Sequence, residues 1–245
     1  MRGYARSVMS APPQSVARFR QAYRASEIST RYRGRWHLAF TLGFGIGVIA
    51  FCLSRIAGWP TPLEWLAVPI TFVYANLVEY WGHRTAMHRP VRGLRLIYRR
   101  HAGQHHRFFT DSAMALESER DLKAVLFPPI LVGFFLTAFA LPAGWLVAVL
   151  TTPNTAYLLV ATALAYFLNY ELLHLAYHLP HTHWLARVPG VARLRRLHLR
   201  HHDLRLMASC NFNITYPICD WVFRTLYRMP RLDTGAASPT RSSDD

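Results

Sequence analysis

The chain reads as an all-α integral membrane protein, with four transmembrane helices and a cytoplasmic helical cap that carries histidine clusters. Three observations predict this. Hydrophobic residues make up 52% of the 245 residues, yet the net charge is +15. The two features are segregated into apolar blocks and arginine-rich blocks, the layout of a membrane protein. Twelve of the thirteen histidines fall in two tight groups, His83 to His106 and His174 to His202, and each group directly follows a long apolar stretch.

Residues 1–35 are expected to form a basic juxtamembrane arm. Positions 1–36 carry eight arginines and one acid, Glu27. The charge resembles that of a mitochondrial presequence, but no cleavage signal follows. Two readings stay open here: an interfacial helix around Val16–Ala25 on anionic headgroups, or a disordered tether. The membrane domain then runs over 36–232. Its four spans are predicted at about Trp36 to Ile56, Leu63 to Trp81, Ala124 to Leu141 and Thr155 to Tyr177. At about 18–23 residues and about 1.5 Å per residue, each matches a hydrocarbon core of about 30 Å. Gly58, Pro60 and Pro62 break the first pair, and Pro142 to Gly144 with Thr151 to Asn154 break the second. Trp145–Leu150 is too short to span; it reads as an interfacial or re-entrant piece, or as an extension of the third span. The tail, 233–245, is polar and rich in small residues and is expected to be disordered.

Charge orients these spans. Of 28 Lys and Arg, eight lie in 1–36, nine in 82–123 and ten in 181–245, leaving only Arg55. The positive-inside rule places the N-terminus, the central loop, the C-terminus and both histidine groups in the cytoplasm, in a multi-pass protein suited to a bacterial inner membrane. Nucleic-acid binding is excluded as the reason for the charge, because no motif accompanies it and the arginines flank the spans. The three cysteines, Cys52, Cys210 and Cys219, contain no CxxC, so neither a disulfide framework nor a thiolate zinc site is expected.

Neutral imidazole is the commonest protein metal ligand. His174 and His178 are i, i+4 and share a helix face. His83 and His88 are five apart, about 140° on an ideal helix, so they converge only if the helix frays or turns there. His101 and His105 are i, i+4 with His106 adjacent; His198 and His201 are i, i+3 with His202 adjacent. An HH doublet projects its side chains about 100° apart, so a helix between two metals can offer one ligand to each. The candidate ligands are thus His83, His88, His101, His105, His106, His174, His178, His198, His201 and His202, with His181 as an eleventh. Imidazole-rich sites suit iron, zinc or copper, and the spacing does not choose between them.

Glu79 and Glu171 lie just before the first and third histidine motifs. They are expected to sit behind ligating histidines and accept the second ring N–H, or else to reach the interface or pair with arginines. Asn211, Asn213 and Asp220 are read as hydrogen-bonding the ligands or as ordinary capping residues. His37 is expected at the membrane interface, and Glu64 at the opposite edge. Tyr166, Phe167 and Tyr170 are candidates for a substrate groove or for helix packing.

The order HX4H, HX3HH, HX3H, HX2HH, with spans between the second and third elements, resembles the fatty acid hydroxylase/sterol desaturase superfamily over roughly Val73 to Tyr227. HLAYHLPH and HLRHHDLRLMASCNFNITYPICDWVFRT look like the fatty acid 2-hydroxylase pattern, although Leu197 stands where some of those enzymes have histidine. The resemblance implies two iron ions, with zinc as a substitute, and O2-dependent hydroxylation of a lipid C–H bond in a fatty acyl, sphingolipid, sterol or carotenoid substrate. Desaturation on the same scaffold is the alternative, and metal transport a distant one. With no cytochrome b5 segment in these residues, a separate electron donor is expected, of cytochrome b5, ferredoxin or reductase type.

Overall fold

The computed structural model describes residues 13–227, and among these the chain is helical, without a β-strand. In chain order the α-helices are α1 (Gln14–Ser26), α2 (Gly34–Ser54), α3 (Pro62–Trp65), α4 (Ala67–Gly82), α5 (Arg95–Tyr98), α6 (His106–Phe108), α7 (Leu122–Val125), α8 (Pro129–Phe135), α9 (Leu141–Leu150), α10 (Pro153–His178), α11 (Pro189–His201) and α12 (Ile218–Val222). Three π-helical turns join them, at His83–Met87, Arg99–His105 and Leu136–Ala140. The tail expected to be disordered, 233–245, and the first part of the basic arm lie outside the described residues.

Among the described residues, three segments are long and apolar enough to cross a membrane: Gly34–Ser54, Glu119–Leu150 and Pro153–His178. The other expected span, α4, has 16 residues. Alone it reaches about 24 Å, short of the hydrocarbon core of about 30 Å. The third span is displaced from its expected place. The chain leaves the helix at Leu126, and Pro128 and Pro129 start a new one that runs on to Leu150. Trp145–Leu150 is therefore the end of this span. Pro142 does not break it, because the residue sits in the first turn of α9, directly after the wider π turn. An extra residue in that turn makes room for a ring that would collide with the preceding coil and for a missing N–H.

α10 is the centre of the bundle, packed by α2, α4 and α9. Its start is set by Pro153 in the first turn and by the Thr152 hydroxyl, which accepts from the Thr155 N–H at 3.2 Å. α2 approaches so closely at Gly45 that a Cβ there would come within 2.8 Å of the Leu168 side chain. At one end of the bundle the connections are tied together. The Ala57 N–H donates to Asn154 Oδ1 at 2.9 Å, and the Thr152 hydroxyl donates to the Glu64 carboxylate at 2.6 Å. Glu64 also closes a capping box with Thr61. The opposite end gathers the start of α2, the ends of α4 and α10, and all the clustered histidines.

The basic arm does form a helix, α1, but its key arginines turn inward onto protein. Arg20 is 2% exposed. Its Nε donates to the Phe108 carbonyl at 2.8 Å, and its guanidinium pairs with Glu117 and lies over the Phe108 ring. Arg24 grips Asp121 with two hydrogen bonds, at 2.8 and 2.9 Å. This is the bidentate geometry that guanidinium favours. The helix expected around Val16–Ala25 is present, and the disordered-tether reading gives way to it, because Glu117 and the buried Asp121 hold its arginines.

Candidate metal centre

The ten motif histidines collect into two buried groups, and within each group one ring nitrogen per residue lies within 4.8 Å of the others. One group holds His83, His88, His101, His106 and His201; the second holds His105, His174, His178, His198 and His202. The motifs are interleaved, because each doublet is split. His105 and His106 go to different groups, and so do His201 and His202.

Backbone geometry explains which residues pair. In the second group the pairs are four apart on α-helical backbone: His174 with His178 on α10, and His198 with His202 at the end of α11. His202 and His198 approach to 3.0 Å between their Nε2 atoms. The first group uses pairs five apart, His83 with His88 and His101 with His106. An α-helix would splay such pairs, but both lie on π-helical turns, whose i→i+5 bonding aligns residues five apart. Their Nε2 atoms come to 3.2 and 3.1 Å. The expected turn near His88 is thus a π turn, and His101 pairs with His106 instead of His105.

Five of the rings are oriented from behind by main-chain carbonyls. Nδ1 of His105 donates to Ala124 O at 2.8 Å, that of His202 to Phe109 O at 2.7 Å, and that of His178 to Met114 O at 2.9 Å. In the other group Nδ1 of His201 donates to Cys210 O at 2.9 Å, and that of His83 donates to Phe212 O. A carbonyl only accepts, so each of these neutral rings carries its proton on Nδ1 and turns a lone pair on Nε2 toward its group. Burial holds the rings neutral: His105 and His201 are pushed down to about 4, and His88 to about 2, with neighbouring imidazoles adding to the shift at His88. Nε2 of His105 therefore faces Nε2 of His202 at 3.2 Å, lone pair to lone pair. No hydrogen bond satisfies that contact, whereas a cation does. Each five-imidazole group could hold a metal ion, and the donor set fits a metal that takes nitrogen ligands.

Neither glutamate hydrogen-bonds a histidine ring, so both depart from the expected role. The Glu79 carboxylate accepts from the Ile214 and Thr215 N–H groups and from the Thr215 and Tyr166 hydroxyls. It fastens the segment that presents Phe212 O to His83. Asp220 fastens the same segment by accepting from the Phe212 and Asn213 N–H groups at 2.9 and 2.7 Å. Asn211 takes φ 55°, a conformation Asn tolerates well, and anchors Leu197 O and the Tyr227 N–H through its side chain. Glu171 serves a different need. The helix break at Leu126–Pro128 leaves both backbone groups of Phe127 unpaired, and unpaired buried groups are costly. The Glu171 carboxylate accepts the Phe127 N–H at 3.3 Å, and His37 Nε2 donates to the Phe127 carbonyl at 2.9 Å. His37 is accordingly buried inside the protein and not at the interface.

His181, expected as an eleventh ligand, is exposed and belongs to neither group, because Leu179 and Pro180 have already left the helix. Tyr166 belongs to the Glu79 network and Phe167 to the helix core. Tyr170 lines a cavity of about 820 Å³ beside the centre. Besides His37, its wall holds histidines from both groups: His101, His105 and His174. Trp36, Phe40, Val125, Phe127, Pro129 and Leu131 supply its apolar surface. The carbonyls that orient the rings had no signal in the sequence, since any residue provides one.

A family model for fatty acid hydroxylases matches residues 68–225, the part of the chain that builds both histidine groups. The chain belongs to the fatty acid hydroxylase family. No curated protein and no solved structure matches it. The matched region contains every histidine of the two groups but not α1 or α2, so the fatty acid hydroxylase region supplies the candidate centre while α2 contributes Trp36, His37 and Phe40 to the cavity wall.

Proposed function

We propose that this protein is a membrane-bound di-iron oxygenase that hydroxylates an unactivated C–H bond of a lipid. The observation that carries the reading is the pair of facing, carbonyl-locked imidazoles His105 and His202, one contact in a set of ten rings divided five and five. Two irons held by these rings would supply the oxidising chemistry, with O2 and electrons from a separate donor. The chain's own part is to fix the ligand lone pairs, keep water out, and hold an apolar substrate in the adjoining cavity. The family match supports oxidative chemistry on a lipid. Zinc would fit the same nitrogen donors without the redox chemistry. Transport is disfavoured, because the rings cluster at one end of the bundle and not along a midplane path.

Placement in the membrane is part of the proposal. α3, α4 and the π turn that follows run together from Pro62 to Met87 and serve as a fourth crossing. The arginine distribution then puts the centre and both termini in the cytoplasm. The protein acts at a bacterial inner membrane in this reading.

Untargeted lipid mass spectrometry on cells expressing the chain or its His202→Ala variant tests the reaction. A lipid class heavier by one oxygen only with the unmodified chain is the expected result. A class lighter by two hydrogens would assign desaturation on the same scaffold. A purified protein without bound metal, in cells with unchanged lipids, would overturn the proposal.

A further inference from the structure

The cavity beside the histidines is not only apolar. Among the described residues, four cations share its wall, Arg31, Arg33, Arg100 and Lys123, and no Asp or Glu does. Among the described residues none of the four forms an ion pair, although Arg20 and Arg24 nearby are both paired. Arg100 and Lys123 are partly buried. Their contacts are neutral ones: Arg100 donates to Lys123 O at 3.1 Å, and Lys123 donates to Glu27 O. Arg31 and Arg33 are exposed and stay hydrated, whereas a partly buried cation such as Arg100 or Lys123, set against an apolar wall without a counter-charge, is costly. Membrane topology accounts for positive charge on this side of the bundle. It does not account for the convergence of three separate segments, the connector after α1, the π turn Arg99–His105 and α7, on one chamber. That π turn also presents Arg100 and His101, neighbours in sequence, to the same space.

We propose that this cavity takes an anionic amphiphile, with its acidic head, a carboxylate or a phosphate, held by Arg31, Arg33, Arg100 and Lys123 and its hydrocarbon chain along Trp36, Phe127 and Leu131. A volume of about 820 Å³ lies in the range of about 300–1,000 Å³ of pockets that bury a small ligand. The charge selects among the lipid classes open to the centre: a sterol, a carotenoid or a ceramide carries no anion to offset it. The inference rests on the proposed oxygenase reading for the purpose of the binding, but the charge recognition itself needs no metal.

Photolabelling the full chain in nanodiscs of neutral phosphatidylcholine separates the possibilities. The probes are a diazirine-bearing palmitic acid, its methyl ester and the matching lysophosphatidic acid. The acid is expected to label the 124–131 segment in strong preference to the ester. Arg31→Gln combined with Arg33→Gln is expected to lower labelling by the acid about tenfold, equal to about 1.4 kcal/mol, and to leave the ester unchanged. Lysines at both positions should restore labelling. Stronger labelling by lysophosphatidic acid with the same arginine dependence supports the proposal and assigns the head as phosphate. Equal labelling by acid and ester, or labelling unaffected by the arginine changes, would overturn it. Metal content measured on the same samples keeps the two readings apart. Charge-dependent labelling of a chain that binds no metal removes the oxygenase and keeps the anion site; metal without charge dependence does the reverse.

Discussion

His201 and His202 are chain neighbours whose rings serve different groups, with centroids 6.2 Å apart and planes at 87°. His105 and His106 divide in the same way, at 5.5 Å and 90°. Two short helical segments thus stand between the groups and link them covalently. Displacing either segment would disturb both groups at once.

This division predicts the pattern of metal loss. His105→Ala and His202→Ala both deplete the second group, so the double variant should hold no less metal than either single one, about one ion per chain. His201→Ala with His202→Ala should lose both ions. Elemental analysis of purified protein checks this; equal loss in the two double variants would contradict the five-and-five arrangement. All four variants should be inactive.

Glu79→Gln should weaken the protein without removing a ligand. The carboxylate accepts four hydrogen bonds, and an amide replaces one acceptor by a donor that faces donors. A loss of about 1.5–3 kcal/mol is expected, read as a lower melting temperature in detergent. The metal loaded at low temperature should stay near normal. A variant with unchanged melting but less metal would instead mean that Glu79 contacts a ligand.

Glu171 separates by the same logic into two variants. Gln retains an oxygen for the Phe127 N–H, so Glu171→Gln should keep its metal and most of its stability. Ala leaves that N–H unpaired inside the bundle, and Glu171→Ala should cost about 1–3 kcal/mol. Thermal unfolding of both variants decides, and a collapse of metal content in Glu171→Gln would speak for a direct role at the centre.

Acid should release the metal and loosen the site. His105 and His201 hold neutral rings, with pKa values pushed down to about 4 by burial, below the ordinary value of about 6.5. Between those values the unfolded chain binds protons that the folded chain does not, so the stability from these rings is complete above pH of about 6.5 and is lost as pH falls toward 4. Protons also compete with metal for the same lone pairs. Unfolding and metal retention followed from pH 8 to pH 4 should fall together across this window; a flat profile would show that the rings are not the groups that titrate.

Gly45→Val should strain the bundle. The added Cβ alone would meet Leu168 at 2.8 Å, and a rigid branched side chain adds to the conflict. A destabilisation of about 1–3 kcal/mol is expected, with Leu168→Ala in the same chain recovering part of it.

Much of the site was legible in the residues themselves. Imidazole is rare enough, and its chemistry distinct enough, that ten histidines in four ordered motifs named their own role. The split of each doublet followed from the 100° step of a helix. The pairing did not follow, because a π turn is hydrogen-bonded by backbone and leaves no side-chain signature; His83 with His88 and His101 with His106 needed it. Glu79 and Glu171 were placed near the histidines by position, but their partners are backbone N–H groups from segments remote in sequence, Ile214 with Thr215 and Phe127. The arm stayed open between an interfacial helix and a disordered tether because its partners, Glu117 and Asp121, lie about a hundred positions away.

The sequence by itself determined that this is a helical membrane protein with a histidine-rich centre at one end, since hydropathy, charge and ligand type are properties of residues and survive without a fold. Only the tertiary structure decided which five histidines share a group, which nitrogen each one offers, and that a cationic, apolar chamber adjoins them. Those depend on where backbone carbonyls and chain reversals fall. Any residue supplies a carbonyl, so nothing in the order of side chains marks the ones that matter.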